Sequence, residues 1–199
     1  MAIKKSELYS TLWKCCDELR GGMDASQYKD YVLVILFVKY ISDKSRSDEG
    51  FDIDIPEGCY FEDFVALKGN PNIGEEMNKK MAALAEANQL DGVFVADFED
   101  DAKLGKGKDK VETLSKLIAV FQNENLDFSK NRAADDDLIG DAYEYLMKNF
   151  ATESGKSKGQ FYTPAEVSRV MAKVIGLGDA RNGKKTTIYD PTCGSGALL

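Results

Sequence analysis

The chain has 199 residues, 43% of them hydrophobic, enough for one domain of ordinary size, part of a second, and a real core. Its formal net charge of -8, with no long lysine or arginine run, repels polyanions, so contact with DNA or RNA has to be local or shared with another subunit. The chain lacks histidine, and Cys15, Cys16, Cys59 and Cys193 form no Cys-x-x-Cys pair, which removes the usual zinc ligands and the commonest acid-base group; a reduced, cytoplasmic, metal-free protein is expected.

The first residues, MAIKKSELYS, lack the apolar core of a signal peptide. From Lys4 to Arg20, Leu8, Leu12, Cys15, Cys16 and Leu19 recur at helical spacing, and Gly21-Gly22 supplies a stop. Asp24 with Gln27 three residues on resembles a capping box, so a second helix is predicted from there to about Lys44. Its middle, Tyr31 to Val38 (YVLVILFV), is apolar on every side and bracketed by Lys29-Asp30 and Lys39. That run is far shorter than the roughly 20 residues a bilayer requires, so it reads as a buried helix at the centre of a helical domain. A strand through the β-branched Val32-Val34-Ile35 stretch is the rival reading.

Beyond Ser45, SRSDEG reads as a turn and FDIDIPEG alternates as a short extended segment does. Asn70-Pro71-Asn72 reads as a turn and cap for a helix through Glu75, Met77, Met81, Leu84 and Ala87. The stretch LGKGKDK (Leu104 to Lys110) is expected to be a mobile loop. Helices are predicted over about Lys110 to Asn123 and over Asp137 to Phe150, the latter with Leu138, Ala142, Tyr145, Leu146 and Phe150 on one face. The polar, glycine-bearing SGKSKGQ (Ser154 to Gln160) interrupts the helices and marks the expected boundary between a helical domain, residues 1–153, and a second domain, residues 154–199.

In that second part Thr163-Pro164-Ala165-Glu166 places a hydroxyl at a cap, proline at the first helical position and glutamate at the third, starting a helix that reaches about Ile175. A loop rich in glycine and charge then delivers a predicted strand, TTIYD, followed by PTCGSG and the opening of another helix. A parallel sheet does not stand on one strand, so the second domain is expected to be incomplete. Asp190 at the strand end, with Gly194 and Gly196 beyond, puts a carboxylate and a bare-backbone turn where α/β folds bind ligands. The dinucleotide fingerprint is excluded, since it demands glycine where Leu199 stands, and the phosphate loop is excluded by the lack of a following Gly-Lys-Ser/Thr. Taken singly, Phe161 also fits plain core, Pro164 a plain helix starter and Asp190 a cap for the next turn.

GQFYTP (Gly159 to Pro164) lies 26 residues before Asp190, room for one helix and one loop. The ordered pair GQFYTP and DPTCGSGALL resembles the motif pair of amino-group DNA methyltransferases whose aromatic motif precedes the glycine motif. DLIGDAYEYLMKNFATESGKSKGQFYTP, and the helical region ahead of it, are similar to the modification subunit of type I restriction-modification systems. The resemblance implies a mainly α chain: an N-terminal helical domain followed by the truncated start of an α/β Rossmann-like, S-adenosylmethionine-dependent methyltransferase domain. It also implies methyl transfer to adenine N6 in a DNA site. Matched residue by residue, Asp190 with Gly194, Ser195 and Gly196 would lie against the methionine part of the cofactor, and Phe161, Tyr162, Thr163 and Pro164 would line the pocket from the other side.

The family orients the reacting amine with an Asn-Pro-Pro-aromatic motif, which the 199 residues do not contain. Catalytic residues are therefore expected beyond Leu199, and the chain alone is expected not to catalyse. Implied partners are the specificity and restriction subunits, DNA and a second copy of the methyltransferase subunit. Lys103, Lys106, Lys108 and Lys110, or Lys156 and Lys158, are candidates to touch phosphates, although such lysines more often solvate a loop. Two other readings stand beside this one: an assembly module whose glycine motif binds nothing, and an unrelated nucleotide-binding α/β protein.

Overall fold

The computed structural model describes residues 5–19, 25–48, 50–90, 92, 94–123, 126–130, 138–153, 163, 165–176, 187 and 189–191. Its helices are α1 (Lys5–Leu19), α2 (Ala25–Ser45), α3 (Phe61–Val65), α4 (Ile73–Asn88), α5 (Asp101–Leu104), α6 (Lys108–Phe121), α7 (Leu138–Glu153) and α8 (Ala165–Ile175), with a 3₁₀ turn over Phe128–Lys130. No strand occurs among the described residues. The chain divides into two compact units between Leu146 and Met147, inside α7. The boundary expected at Ser154 to Gln160 falls outside the described residues.

In the first unit α2 is the axis. Tyr31, Val32, Val34, Ile35, Leu36, Val38 and Ile41 are all buried, so the helix is covered over most of its circumference, by α1, α3, α6 and the 3₁₀ turn. That cover decides against the strand reading of Val32 to Ile35: a helix apolar all round is stable once several neighbours surround it. Helix α1 presents Leu8, Leu12 and Cys15, one above the other at helical spacing, and Tyr9 stacks on Tyr145 of α7 with centroids 4.3 Å apart. Helix α6 adds Leu114, Leu117, Ile118 and Phe121, and α4 adds Ile73, Met77, Met81 and Leu84. No helix among the described residues is long and apolar enough to cross a membrane.

The last turns of α2 also hold two later elements in place. Ser42 Oγ donates to the Val38 carbonyl at 2.7 Å and accepts the Phe61 N–H at 2.8 Å, which fixes the start of α3. Asp43, almost fully buried, accepts Lys39 Nζ at 2.7 Å and the Phe128 N–H at 3.0 Å, which fixes the 3₁₀ turn. Neither α3 nor this turn was legible in the apolar pattern, because both are held by single polar side chains belonging to a distant helix.

Two sequence expectations need correction. Asn72 occupies the position before α4, but its side chain makes no cap bond; its N–H instead donates to Asn70 Oδ1 at 2.9 Å, so Asn70 forms the turn. The stretch Leu104 to Lys110 is not a loop: Leu104 ends α5, Lys108 to Lys110 begin α6, and only Gly105-Lys106-Gly107 link them. The Asp100 carboxylate caps α5 through the N–H groups of Ala102 and Lys103, and the glycines take φ of 82° and 55°, which side chains disfavour. The other predicted helices agree with α1, α2, α4, α6, α7 and α8 to within a turn.

Candidate cofactor site and lysine turn

The described residues of the second unit include Thr163, α8, Thr187 and Tyr189 to Pro191. Helix α8 carries Glu166 in its first turn and Lys173 in its last, each favourably placed on the helix dipole. It stops at Gly176, whose φ of 77° lets its N–H close on the carbonyls of Ala172 and Lys173. Val167, Val170, Met171 and Val174 follow the i, i+3, i+4, i+7 pattern of one helix face, yet all are exposed, Val174 at 81%.

Thr163 stands two residues ahead of α8 and is half-buried. Asp190 is half-buried too, whereas Tyr189 beside it is 87% exposed. Both candidate ligand residues therefore keep part of their surface accessible, as a group that touches a ligand on one side requires. Phe161, Tyr162, Pro164, Gly194, Ser195 and Gly196 lie outside the described residues, as do Lys156 and Lys158. Thr186 and Ile188 of the TTIYD strand do as well; its other residues, Thr187, Tyr189 and Asp190, are described, in irregular conformation. Among the described residues no three histidine, cysteine, aspartate or glutamate side chains group closely enough to hold a metal ion.

The four lysines of the α5–α6 turn have different fates. Lys110 is buried, and its ammonium lies 2.8 Å from Asp101 and 3.0 Å from Glu99. The hydrogen bond to Asp101 holds the Lys110 ammonium above its usual pKa, and the same bond holds the Asp101 carboxyl below the usual range. Lys103 pairs with Asp100 at 3.0 Å. Lys106 reaches Asp101 only at 4.0 Å with its side chain 80% exposed, and Lys108 is exposed with no ion pair among the described residues. The turn is thus close to neutral, with two outward ammonium groups. Sequence reasoning missed the burial of Lys110, although a signal existed: Lys110, Leu114, Leu117 and Phe121 share one helical face, and the last three are core.

These features alone do not define a class of protein, and comparison with known proteins supplies it. Residues 8–121, more than half of the chain, match the HsdM N-terminal domain, and residues 134–199 match N-6 DNA Methylase. The chain belongs to the methylase subunits of type I restriction-modification systems, and the resemblance read from its two motifs is correct. It is 28% identical to the type I restriction enzyme MpnII methylase subunit of Mycoplasma pneumoniae over 94% of this chain and 42% of that protein. It is 31% identical to the MjaVII methylase subunit of Methanocaldococcus jannaschii over 98% of this chain and 35% of that one. Its structure resembles the crystal structure of a type I restriction-modification methyltransferase subunit from Streptococcus thermophilus with a TM-score of 0.74 and 25% identity, covering 98% of this chain and 48% of that chain. The chain therefore spans less than half the length of these relatives.

Proposed function

We propose that this chain joins the helical module of a type I DNA methyltransferase subunit to its S-adenosylmethionine site, in an enzyme that methylates adenine N6 within a specific DNA site. The supporting observation is the order of the two matched regions, 8–121 and then 134–199, on one chain. The exposed apolar stripe of α8 agrees with a helix laid on the sheet of an α/β domain.

In this reading Asp190 accepts a hydrogen bond from the cofactor, and the bare backbone of Gly194-Ser195-Gly196 at a helix start meets its methionine part. Phe161 to Pro164 form the opposing aromatic wall, where ring faces favour a cation. Bound S-adenosylmethionine supplies the electrophilic methyl group. The chain's own contribution is to orient and desolvate the site, which needs no histidine. Catalysis also needs the adenine flipped out of the duplex and its amine oriented, and the 199 residues hold no Asn-Pro-Pro-aromatic segment for that task. Phosphate contact, where this chain makes any, falls to Lys106 and Lys108, with Lys156 and Lys158 as further candidates, and partners are the specificity and restriction subunits and a second methyltransferase subunit.

Calorimetric titration with S-adenosylmethionine, paired with a methyl-transfer assay on adenine-containing DNA, tests the reading. Weak saturable binding without transfer is expected. Measurable turnover refutes the role given to the missing motif, and absence of binding refutes the two-walled site on this chain.

A further inference from the structure

Two stretches of the first unit lie outside any helix yet alternate like strands. Phe51, Ile53 and Ile55 are half-buried while Asp52 and Asp54 are exposed; Phe94 and Ala96 are half-buried, Val95 and Asp97 exposed, and Phe98 buried. Among the described residues no backbone hydrogen bond joins the two runs, and the N–H and C=O groups of Phe94, Val95 and Ala96 are engaged with nothing. Both runs border one cavity of about 390 Å³, walled by Leu33, Val34 and Phe37 of α2 together with Ile53, Phe94 and Val95. Val95 stands 75% exposed at its rim.

An unpaired run of backbone donors and acceptors beside an apolar cavity is the arrangement an extended peptide completes. A whole helix, about 10 Å across, is too wide for a cavity that accepts two or three side chains. A small molecule would find little to orient it, since Asp30 and Tyr143 are the two polar side chains in the described wall and Asp30 already pairs with Lys29 at 3.5 Å. The charge pattern narrows the occupant further. The solvent-facing positions of the two runs carry Asp52, Asp54 and Asp97 and no cation, and cross-strand neighbours of opposite charge favour pairing.

We propose that this gap is a strand-addition site for an extended segment of a partner protein, apolar at every second residue and bearing lysine or arginine between. The apolar side chains enter the cavity, the basic ones lie beside the aspartates, and the partner's backbone pairs with Phe94 to Ala96. The proposal concerns the first unit and stands apart from cofactor binding.

The test uses the 199-residue chain and a fluorescent peptide of about eight residues, an ordinary strand length, alternating valine and lysine. Fluorescence anisotropy should show saturable binding at least about tenfold tighter than for the same peptide with glutamate in place of lysine. N-methylation of every second amide, made in both registers, should weaken binding at least about tenfold in one or both. Val95→Pro, which deletes a free N–H, should weaken it similarly while the unfolding midpoint holds; if that variant unfolds, the N-methylated peptides on the unmodified chain decide. Absence of binding, equal binding of the acidic peptide, or indifference to both N-methylated forms overturns the proposal.

Discussion

Removing the Asp43 carboxylate probes the polar joint that ties α2 to the rest of the helical unit. The side chains of Asp43 and Lys39 are 7% and 13% exposed, with Nζ and carboxylate 2.7 Å apart, and Asp43 also accepts the Phe128 N–H at 3.0 Å. Asp43→Ala leaves a nearly buried ammonium and a buried N–H without their acceptor. Breaking a buried pair by deleting one partner costs about 3–5 kcal/mol. Lys39 borders a polar cavity, so its ammonium regains some water, and the expected loss lies at the lower end, about 3 kcal/mol. The double change Lys39→Met, Asp43→Leu removes both charges and leaves only the Phe128 N–H orphaned, which costs about 1–2 kcal/mol. Urea unfolding followed through Trp13, the one tryptophan and a residue of α1, reports on this unit. A loss under about 1 kcal/mol for Asp43→Ala, or a double variant less stable than the single one, refutes the reasoning.

Gly74→Ala should destabilise by about 1–3 kcal/mol in the same assay despite alanine's better helix propensity, because its Cβ would run into the Phe98 carbonyl oxygen and backbone has to move. Cys15, Cys16 and Cys59 are buried, and burial raises the thiol pKa of Cys15 and Cys59, so an aromatic disulfide reagent should label these three only after unfolding. The hydrogen bond from Arg46 holds the Glu62 carboxyl below its usual pKa of 4.5. A carboxyl depressed in the folded state stabilises above its unfolded pKa and loses that contribution as pH falls through the folded one, so Arg46→Ala should flatten the stability profile below that pKa of 4.5. The pair is half-exposed, so the effect stays under about 1 kcal/mol and shrinks with salt.

Legibility in the sequence depends on which forces leave a periodic trace. Helices α1, α6 and α7 are built on apolar residues that repeat every three or four positions, so Leu8-Leu12-Cys15 or Leu114-Leu117-Phe121 locate them directly, whereas α2 shows as an unbroken apolar run, Tyr31 to Val38, behind a cap signal. The start of α3 depends on Ser42 Oγ, nineteen residues upstream of Phe61, and the 3₁₀ turn on Asp43, a separation no local pattern encodes. The α5–α6 turn was misread because glycine and lysine dominate its composition, whereas its conformation is set by the Asp100 cap and by the ion pairs of Lys110. The family was legible for a different reason: GQFYTP and DPTCGSGALL are specific as an ordered pair, although each alone fits bland structure. FDIDI showed its period of two, but that period does not say whether a second strand completes it.

The central claim is that Phe161 to Pro164 and Asp190 to Gly196 serve one methyl-donor site. It is tested most directly by titrating S-adenosylmethionine into the unmodified chain, Phe161→Ala and Asp190→Ala, with Asp43→Ala as a control for stability alone. The account predicts weak binding to the unmodified chain, abolished by both site substitutions and retained by the control where it remains folded. Equal affinity in all of them would contradict it.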